Sequence, residues 1–458
     1  MAKEVSGTFV EMDGEQFYRI ENYDRMEDFF MTITSSSDIW NFLWSKGGIT
    51  CGRCDSDHAV FPYYTADKVS DMKTVSGPYT VIAVRDKDGC SQFWEPFADL
   101  QRNIPWAGTG MDGTITRNIY KSTNGSKVWF EEVNAALGLS FRYGWTSSAR
   151  FGIVRMACLR NESGAAKTLS VLDGARNIMC AATTAAFQNS NSVLLDAYKQ
   201  ADIDAESGLA LFSVSSIVSD KAEPNEGLYA NSCWFSTGGS PFLLPGTPQA
   251  FFARGGDIGA LPQTDVLTGQ RPSCYTAFAR TLEAGSGFRW YQVFDVGLTA
   301  AKAAALQDAI SRRGQAVQEL EADIESGSRA LDAYIESADG VQDTAETMTA
   351  VHHRANVLFN IMRGGVFADG GNIRPADFAA FVKARLPDAA EKAALALKDI
   401  PADAAVSPSR LKAAVATTGD AQLCRLAREY LPLTFSRRHG DPSRPWNKFS
   451  IKLTDSSG

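Results

Sequence analysis

The stretch FGIVRMACLRNESGAAKTLSVL, residues 151–172, changes texture halfway along. From Phe151 to Leu159 it is mostly apolar at odd and even positions alike, the pattern of a strand buried on both faces. Asn161-Glu-Ser-Gly164 then supplies turn residues, and Lys167 to Leu172 resumes with apolar and polar alternating. The same units recur outward in both directions. Tyr79 to Arg85 ends in the turn Asp86-Lys-Asp-Gly89, and Lys127 to Glu132 follows the hairpin signal Asn124-Gly125. Leu209 to Val214, Gln249 to Arg254 and Phe288 to Phe294 read as further strands. Many short strands with turns between them predict an antiparallel sandwich or barrel over residues 1–298. Near the start, FFMTITSSSDIWNFLWSKGGITCGR (residues 29–53) predicts two strands and their connection. Asp38, Asn41 and Lys46 interrupt an apolar run that would need about 18 residues to span a membrane.

From Leu298 the texture becomes helical. Leu306, Ile310, Val317, Leu320 and Ile324 recur at spacings of 3, 4 and 7 and form one apolar face, with Gly314 and Ser326-Gly327-Ser328 as expected breaks. A second helical block starts near Ala345 and ends at Arg363-Gly364-Gly365. Pro375 opens another helix at an N1-like position, and further helices are expected over 388–398, 408–416 and 420–430. The domains expected are therefore 1–298, a β-sandwich; 299–344, a helical linker; and 345–458, helices with an irregular basic tail. Eight of the nine tryptophans fall in the first, which sets it apart from the rest.

The chain of 458 residues carries a net charge of −8, which argues against nucleic acid as a main partner, since neutralising phosphates needs a basic face. The start, MAKEVSGTFVEMDGEQ, lacks the apolar core of a signal peptide, so the cytoplasm is the expected location. The 8 cysteines are mostly scattered singly, and a chain of this length needs no disulfide framework. Cys51-x2-Cys54-x3-His58 has metal-like spacing, but a structural zinc site needs four ligands and no second cysteine pair follows; no metal and no cofactor are expected. Four histidines, no Gly-x-Ser-x-Gly elbow and no phosphate-binding glycine loop leave nucleophilic and nucleotide chemistry poorly supplied.

Sugar binding is better supplied. Carbohydrates present C–H faces that stack on aromatic rings while polar groups fix the hydroxyls. Trp40, Trp44, Trp94 and Trp106 are dense in the first quarter, interleaved with Asp38, Asn41, Asp57 and Arg102. The competing reading is core, with Trp40 and Trp44 buried or half-buried and the Ser35–Ser37 and Gly47–Gly48 turns near the domain rim. The tail joins Arg437, Arg438, His439, Asp441, Arg444, Trp446 and Asn447 in a proline-stiffened loop suited to a sugar or a phosphate. Its competing reading is a solvated charged loop.

Phe30-Met-Thr-Ile-Thr-Ser-Ser-Ser-Asp-Ile-Trp-Asn41, Arg150 to Asn161, Val357 to Gly365 and YLPLTFSRRHGDPSRPWN (residues 430–447) carry a resemblance. Across nearly its whole length the chain resembles the N-terminal part of the large cellobiose-phosphorylase-related proteins of glycoside hydrolase family 94. The resemblance implies a galactose-mutarotase-like β super-sandwich, a helical linker and the start of an (α/α)6 barrel of the six-hairpin glycosidase kind. It implies carbohydrate metabolism: a glycoside phosphorylase or hydrolase acting on β-glucosides, with an oligosaccharide or glucoside as partner and inorganic phosphate as co-substrate. In that chemistry a carboxylic acid protonates the leaving oxygen. The family's acid lies deep in the barrel, and too few helices follow the linker here to build one. The chain alone is expected to lack the acid, and catalytic residues stay unassigned. The resemblance also implies a homodimer, and the rest of the barrel as a partner if the chain is a fragment. A stand-alone carbohydrate-binding or dimerisation module is the alternative. A mutarotase-like enzyme would want paired His and Glu on the sandwich, where His58 is the one histidine.

Overall fold

The structure is a computed structural model. It describes residues 4–63, 68–85, 91–98, 114–218, 227–237, 241–246, 248, 251–252, 257–337, 341, 346–362, 365–367, 372–401, 404–430, 433–435 and 450–451. The chain divides into two compact units, Met1–Gly327 and Ser328–Gly458.

The first unit contains β1 (Ser6–Met12), β2 (Glu15–Glu21), β3 (Phe30–Ile33), β4 (Ile39–Trp44), β5 (Ile49–Arg53), β6 (Gly77–Arg85) and β7 (Ser91–Trp94). It continues with β8 (Ile115–Ser122), β9 (Val128–Asn134), β10 (Leu139–Ser148), β11 (Gly152–Asn161), β12 (Lys167–Arg176) and helix α1 (Ala185–Asp196). Then come β13 (Lys199–Asp204), β14 (Leu209–Val214), β15 (Tyr229–Phe235), β16 (Phe242–Pro245), β17 (Val266–Thr268), β18 (Pro272–Leu282) and β19 (Gly287–Thr299). Eleven strands form one sheet in the order β1-β2-β8-β9-β10-β11-β19-β15-β14-β13-β17, so β1 and β17 are its edges. A five-stranded sheet, β16-β18-β12-β6-β7, packs against it, and β3-β4-β5 make a third, small sheet. The pairings are antiparallel.

The main core lies between the sheets. Ile153, Ala157, Phe141 and Trp290 of the large sheet meet Ile82, Val171, Ala175 and Cys274 of the five-stranded one. The outer face of the large sheet is covered too. Helices α2 (Ala300–Ser311) and α3 (Arg313–Ser337) bring Ile310, Ala316, Leu320 and Ile324 onto Phe17, Val154, Met156, Trp234 and Val293. This is why β11 reads as apolar on both faces: Ile153 and Ala157 face the sheet stack while Val154 and Met156 face helices. Each large apolar side chain so covered stabilises by about 1.5–3 kcal/mol. The chain breaks once between the two helices, at Arg312 (φ −96°, ψ 62°), and α3 runs unbroken through Ser326-Gly327-Ser328, where a break was expected.

Polar groups also cross the stack. Wholly buried Arg155 on β11 donates Nη1 to Asp173 Oδ2 (2.6 Å) and Nη2 to Asp173 Oδ1 (2.8 Å) on β12. Thr80 Oγ1 and Trp290 Nε1 donate to the same carboxylate at 2.6 and 2.7 Å. A second bridge centres on Glu132 of β9, which accepts from Trp94 Nε1 (2.7 Å), Arg117 Nε (2.8 Å) and Phe97 N (2.8 Å).

Several local expectations are corrected. Residues 29–53 form three strands rather than two, β4 pairing with both neighbours. Residues 251–252, expected in a strand, have helical backbone with both amides turned to Pro248 O. Helix α1, capped by Thr184 Oγ1 accepting from Phe187 N, stands where no helix was expected. The last strand, β19, ends at Thr299 and the helices begin at residue 300, while the first compact unit takes in residues up to Gly327.

The second unit has its own apolar core. Helices α4 (Thr347–Met362), α5 (Pro375–Arg385), α6 (Ala390–Ala396), α7 (Pro408–Ala416) and α8 (Ala421–Glu429) belong to it. Phe378, Val382, Ala393, Leu411, Val415, Leu423 and Ala427 close its centre. Pro375 and Pro408 sit at the first helical positions, and Asp420 Oδ1 accepts from Gln422 N and Leu423 N.

Asp173→Ala leaves the Arg155 guanidinium buried without a counter-charge. The expected loss is about 3–5 kcal/mol of sandwich stability, read from the urea unfolding transition followed by tryptophan fluorescence. A shift below 1 kcal/mol would mean that water reaches Arg155.

Candidate functional site

The site begins at a two-residue turn. Met12 pairs with Glu15, which leaves Asp13 (φ 54°) and Gly14 (φ 78°) as the loop of the β1–β2 hairpin. Both central residues lie in the left-handed region, the backbone of a type I′ turn, for which Asp-Gly is a favoured pair. The turn projects Asp13 over the outer face of the large sheet, where its Oδ2 accepts from Arg289 Nη2 at 2.5 Å.

Beneath the hairpin lies a cleft of about 320 Å³. Its floor is Phe17, Trp129, Met156 and Tyr291 from the sheet, and Glu321, Ile324 and Glu325 of α3 form the opposite wall. Lys127 Nζ donates to Glu15 Oε2 at 2.5 Å, and Tyr291 Oη donates to Glu321 Oε1 at 2.7 Å. Burial, followed by the bond to Glu321, pushes the Tyr291 phenol above its usual value. Burial is the largest single influence and opposes the Arg289 cation, but the bond to Asp13 and the Asp13 charge, acting with smaller neighbouring contributions, together hold the guanidinium more firmly charged. Next to the cleft, Arg142 lies over the Tyr120 ring at 5.2 Å and donates Nη2 to Glu131 Oε1 at 2.8 Å. The cleft thus sets Asp13, Glu15, Glu321 and Glu325 against Lys127 and Arg289, above an apolar and aromatic floor. Carboxylates accept from ligand hydroxyls, the cations donate to them, and ring faces cover C–H surface.

The residues singled out by sequence do not converge there. Trp40 and Trp94 are interior, 1% and 0% exposed, and offer no ring face to a ligand. Trp40 Nε1 donates to Asp55 O at 3.1 Å, its ring packs on Phe42 and Tyr63, and the Trp94 indole is taken by Glu132. Trp44 is half-buried at the end of β4, its carbonyl accepting from Gly47 N in the turn to β5. Trp106 and the tail residues Arg437, Arg438, His439, Asp441, Arg444, Trp446 and Asn447 lie outside the described residues. Cys51 is buried in the main core, whereas Cys54 donates Sγ to Asp38 Oδ2 at 3.1 Å and His58 Nδ1 bonds Asp55 Oδ1 at 2.8 Å. No helix among the described residues is long and apolar enough to cross a membrane. The cleft residues are scattered from 12 to 325 and were missed by the sequence reading; the Asp13-Gly14 hairpin dipeptide is the one local signal that could have marked their rim.

No family model and no curated protein matches the sequence. Among solved structures, a bacterial glucoamylase complexed with acarbose is matched at 10% identity and a TM-score of 0.36 over 81% of this chain. The chain spans 50% of that glucoamylase. A putative aldose 1-epimerase from Klebsiella pneumoniae is matched at 9% identity and a TM-score of 0.29, over 69% of this chain and 93% of that one. A putative kojibiose phosphorylase from human microbiome is matched at 7% identity and a TM-score of 0.31, over 76% of this chain and 36% of that one.

The thiol of Cys54 is pushed up to about 11, by burial first and then by the bond to Asp38. Thiolate is therefore scarce at neutral pH, and alkylation of Cys54 by iodoacetamide should be slow at pH 8. Asp38→Asn should speed it several-fold, measured by mass spectrometry of the modified peptide.

Proposed function

We propose that this chain is the sugar-contacting and scaffold portion of a carbohydrate-active protein, with the cleft beneath the β1–β2 hairpin as its oligosaccharide contact. The observation that carries the reading is that cleft: an aromatic and apolar floor of Trp129, Tyr291, Phe17 and Met156, rimmed by carboxylates and two cations. A sugar ring needs both parts together, a hydrophobic platform and hydrogen-bonding groups around its edge. An acidic rim also disfavours anionic polymers, in keeping with the net charge of −8. The finer reading is a part of a glycoside phosphorylase or hydrolase of β-glucosides, cytoplasmic and homodimeric, with inorganic phosphate as co-substrate and the proton-donating acid outside this chain.

Isothermal titration calorimetry with cellotetraose tests the contact. Saturable binding is expected, weakened at least tenfold, or about 1.4 kcal/mol, by Arg289→Ala and by Glu321→Gln. Absence of binding, or binding indifferent to both variants, rejects the cleft. The chain incubated with cellobiose and phosphate should release no glucose phosphate; release would place a catalytic acid within it.

A further inference from the structure

The β1–β2 hairpin that roofs the cleft is anchored at its base and overhangs at its tip. At the base, Asn22 Nδ2 donates to Glu4 O at 2.8 Å, and β2 pairs with β8 from Phe17 to Glu21. Gln16 O then accepts from Thr123 N at 3.2 Å, and Met12 to Glu15 run on beyond that ladder. β1 borders the sheet, so β2 is its one strand neighbour. A Cβ at Gly14 would meet nothing within 4 Å among the described residues, so the turn itself stands clear.

Side chains tie the tip down. In the sheet order β19 lies six places from β1, a path of about 29 Å at about 4.8 Å per strand. Yet Asp13 Oδ2 accepts from Arg289 Nη2 of β19 at 2.5 Å. Such a contact requires the sheet to curl, with the tip crossing its outer face. Arg142 of β10, a strand between the two, donates Nη1 to Met12 Sδ, and Lys127 just before β9 holds Glu15. The two ion pairs differ in cover. The Lys127 and Glu15 side chains are 17% and 26% exposed, those of Arg289 and Asp13 43% and 58%. An ion pair that open to water is weak and is screened by salt. The tie at the turn is therefore the weaker of the two, and it closes over Trp129, Met156 and Tyr291 of the cleft floor.

We propose that the tip of the β1–β2 hairpin is a flap latched by the Asp13–Arg289 pair, and that the cleft is entered and left when this latch opens. The inference rests on the oligosaccharide reading for the identity of what enters, and adds the regulation of that site. Opening clears the way to the floor and frees the Arg289 guanidinium to donate to a ligand hydroxyl. Ionic strength governs the latch, because the screening length falls from about 30 Å at about 0.01 M salt to about 3 Å at about 1 M.

Met156 of the floor is 5% exposed and reports opening without any ligand. Dilute hydrogen peroxide converts its thioether to the sulfoxide when the reagent reaches it, read by mass spectrometry of the peptide. Asp13→Asn removes the latch and keeps the turn, since Asn-Gly suits the same left-handed backbone. The variant should speed Met156 oxidation about threefold or more at low salt, in line with the strength of an exposed pair. Wild-type oxidation should accelerate between about 0.01 M and about 1 M salt, and the variant should lose that dependence. Met179, 4% exposed and not among the cleft residues, should oxidise at an unchanged rate. Equal Met156 rates in the two proteins, or a rise that Met179 shares, overturns the flap. Cellotetraose should protect Met156. Protection combined with equal rates in the two proteins overturns the flap alone, whereas a latch effect without protection upholds the flap and overturns the oligosaccharide reading.

Discussion

A charge buried between two sheets cannot be left alone, and the Arg155–Asp173 pair turns that constraint into architecture. The guanidinium comes from the eleven-stranded sheet and the carboxylate from the five-stranded one, with Thr80 and Trp290 completing the carboxylate's shell. Side chains alternate along a strand, so a slip of one residue in β12 would turn Asp173 outward and leave Arg155 uncompensated. The register of the stack is thereby specified more sharply than apolar packing alone would specify it. Glu132 repeats the device near β7, tying Trp94 and Arg117 to one carboxylate.

Once the inner faces are fixed, the outer faces follow by parity. Val154 and Met156 must face out if Ile153, Arg155 and Ala157 face in, and Tyr291 must face out if Trp290 faces in. The cleft floor is assembled by this rule from strands distant in sequence, and α3 supplies its wall because its apolar stripe has to cover the same surface. On the other sheet, Gly174 and Arg176 are outward partners of the inward Asp173 and Ala175. Interior electrostatics and exterior chemistry are thus two consequences of a single alternation.

This explains which features could be read from the chain alone. Strand texture, the Asn124-Gly125 hairpin, the helical change after Leu298 and the Pro375 start are local, and they stand as expected. Gly125 takes the left-handed φ of 72° that such a turn requires. The Asn161 turn is held by Oδ1 accepting from Ser163 N. Helix α1 escaped because its period is weak and Asn191 interrupts it with non-helical backbone. The tryptophans left core and sugar contact both open, because a ring dense in sequence is as useful to one as to the other and only tertiary pairing separates the two; Trp40 and Trp94 belong to the core. Trp94 has its indole N–H taken by a buried glutamate, a partner 38 positions away. The cleft was illegible because no window of sequence holds Asp13, Lys127, Arg289 and Glu321 together.

The large sheet ends unevenly. At one border β17 has three residues, at the other β1 has seven. A border that short gives an incoming chain almost no ladder to copy, whereas seven residues offer a full template. Strand-by-strand extension, in assembly or in misassembly, is therefore polarised: it starts from β1, next to the hairpin that roofs the cleft, and a neighbour added there would crowd the mouth of the site.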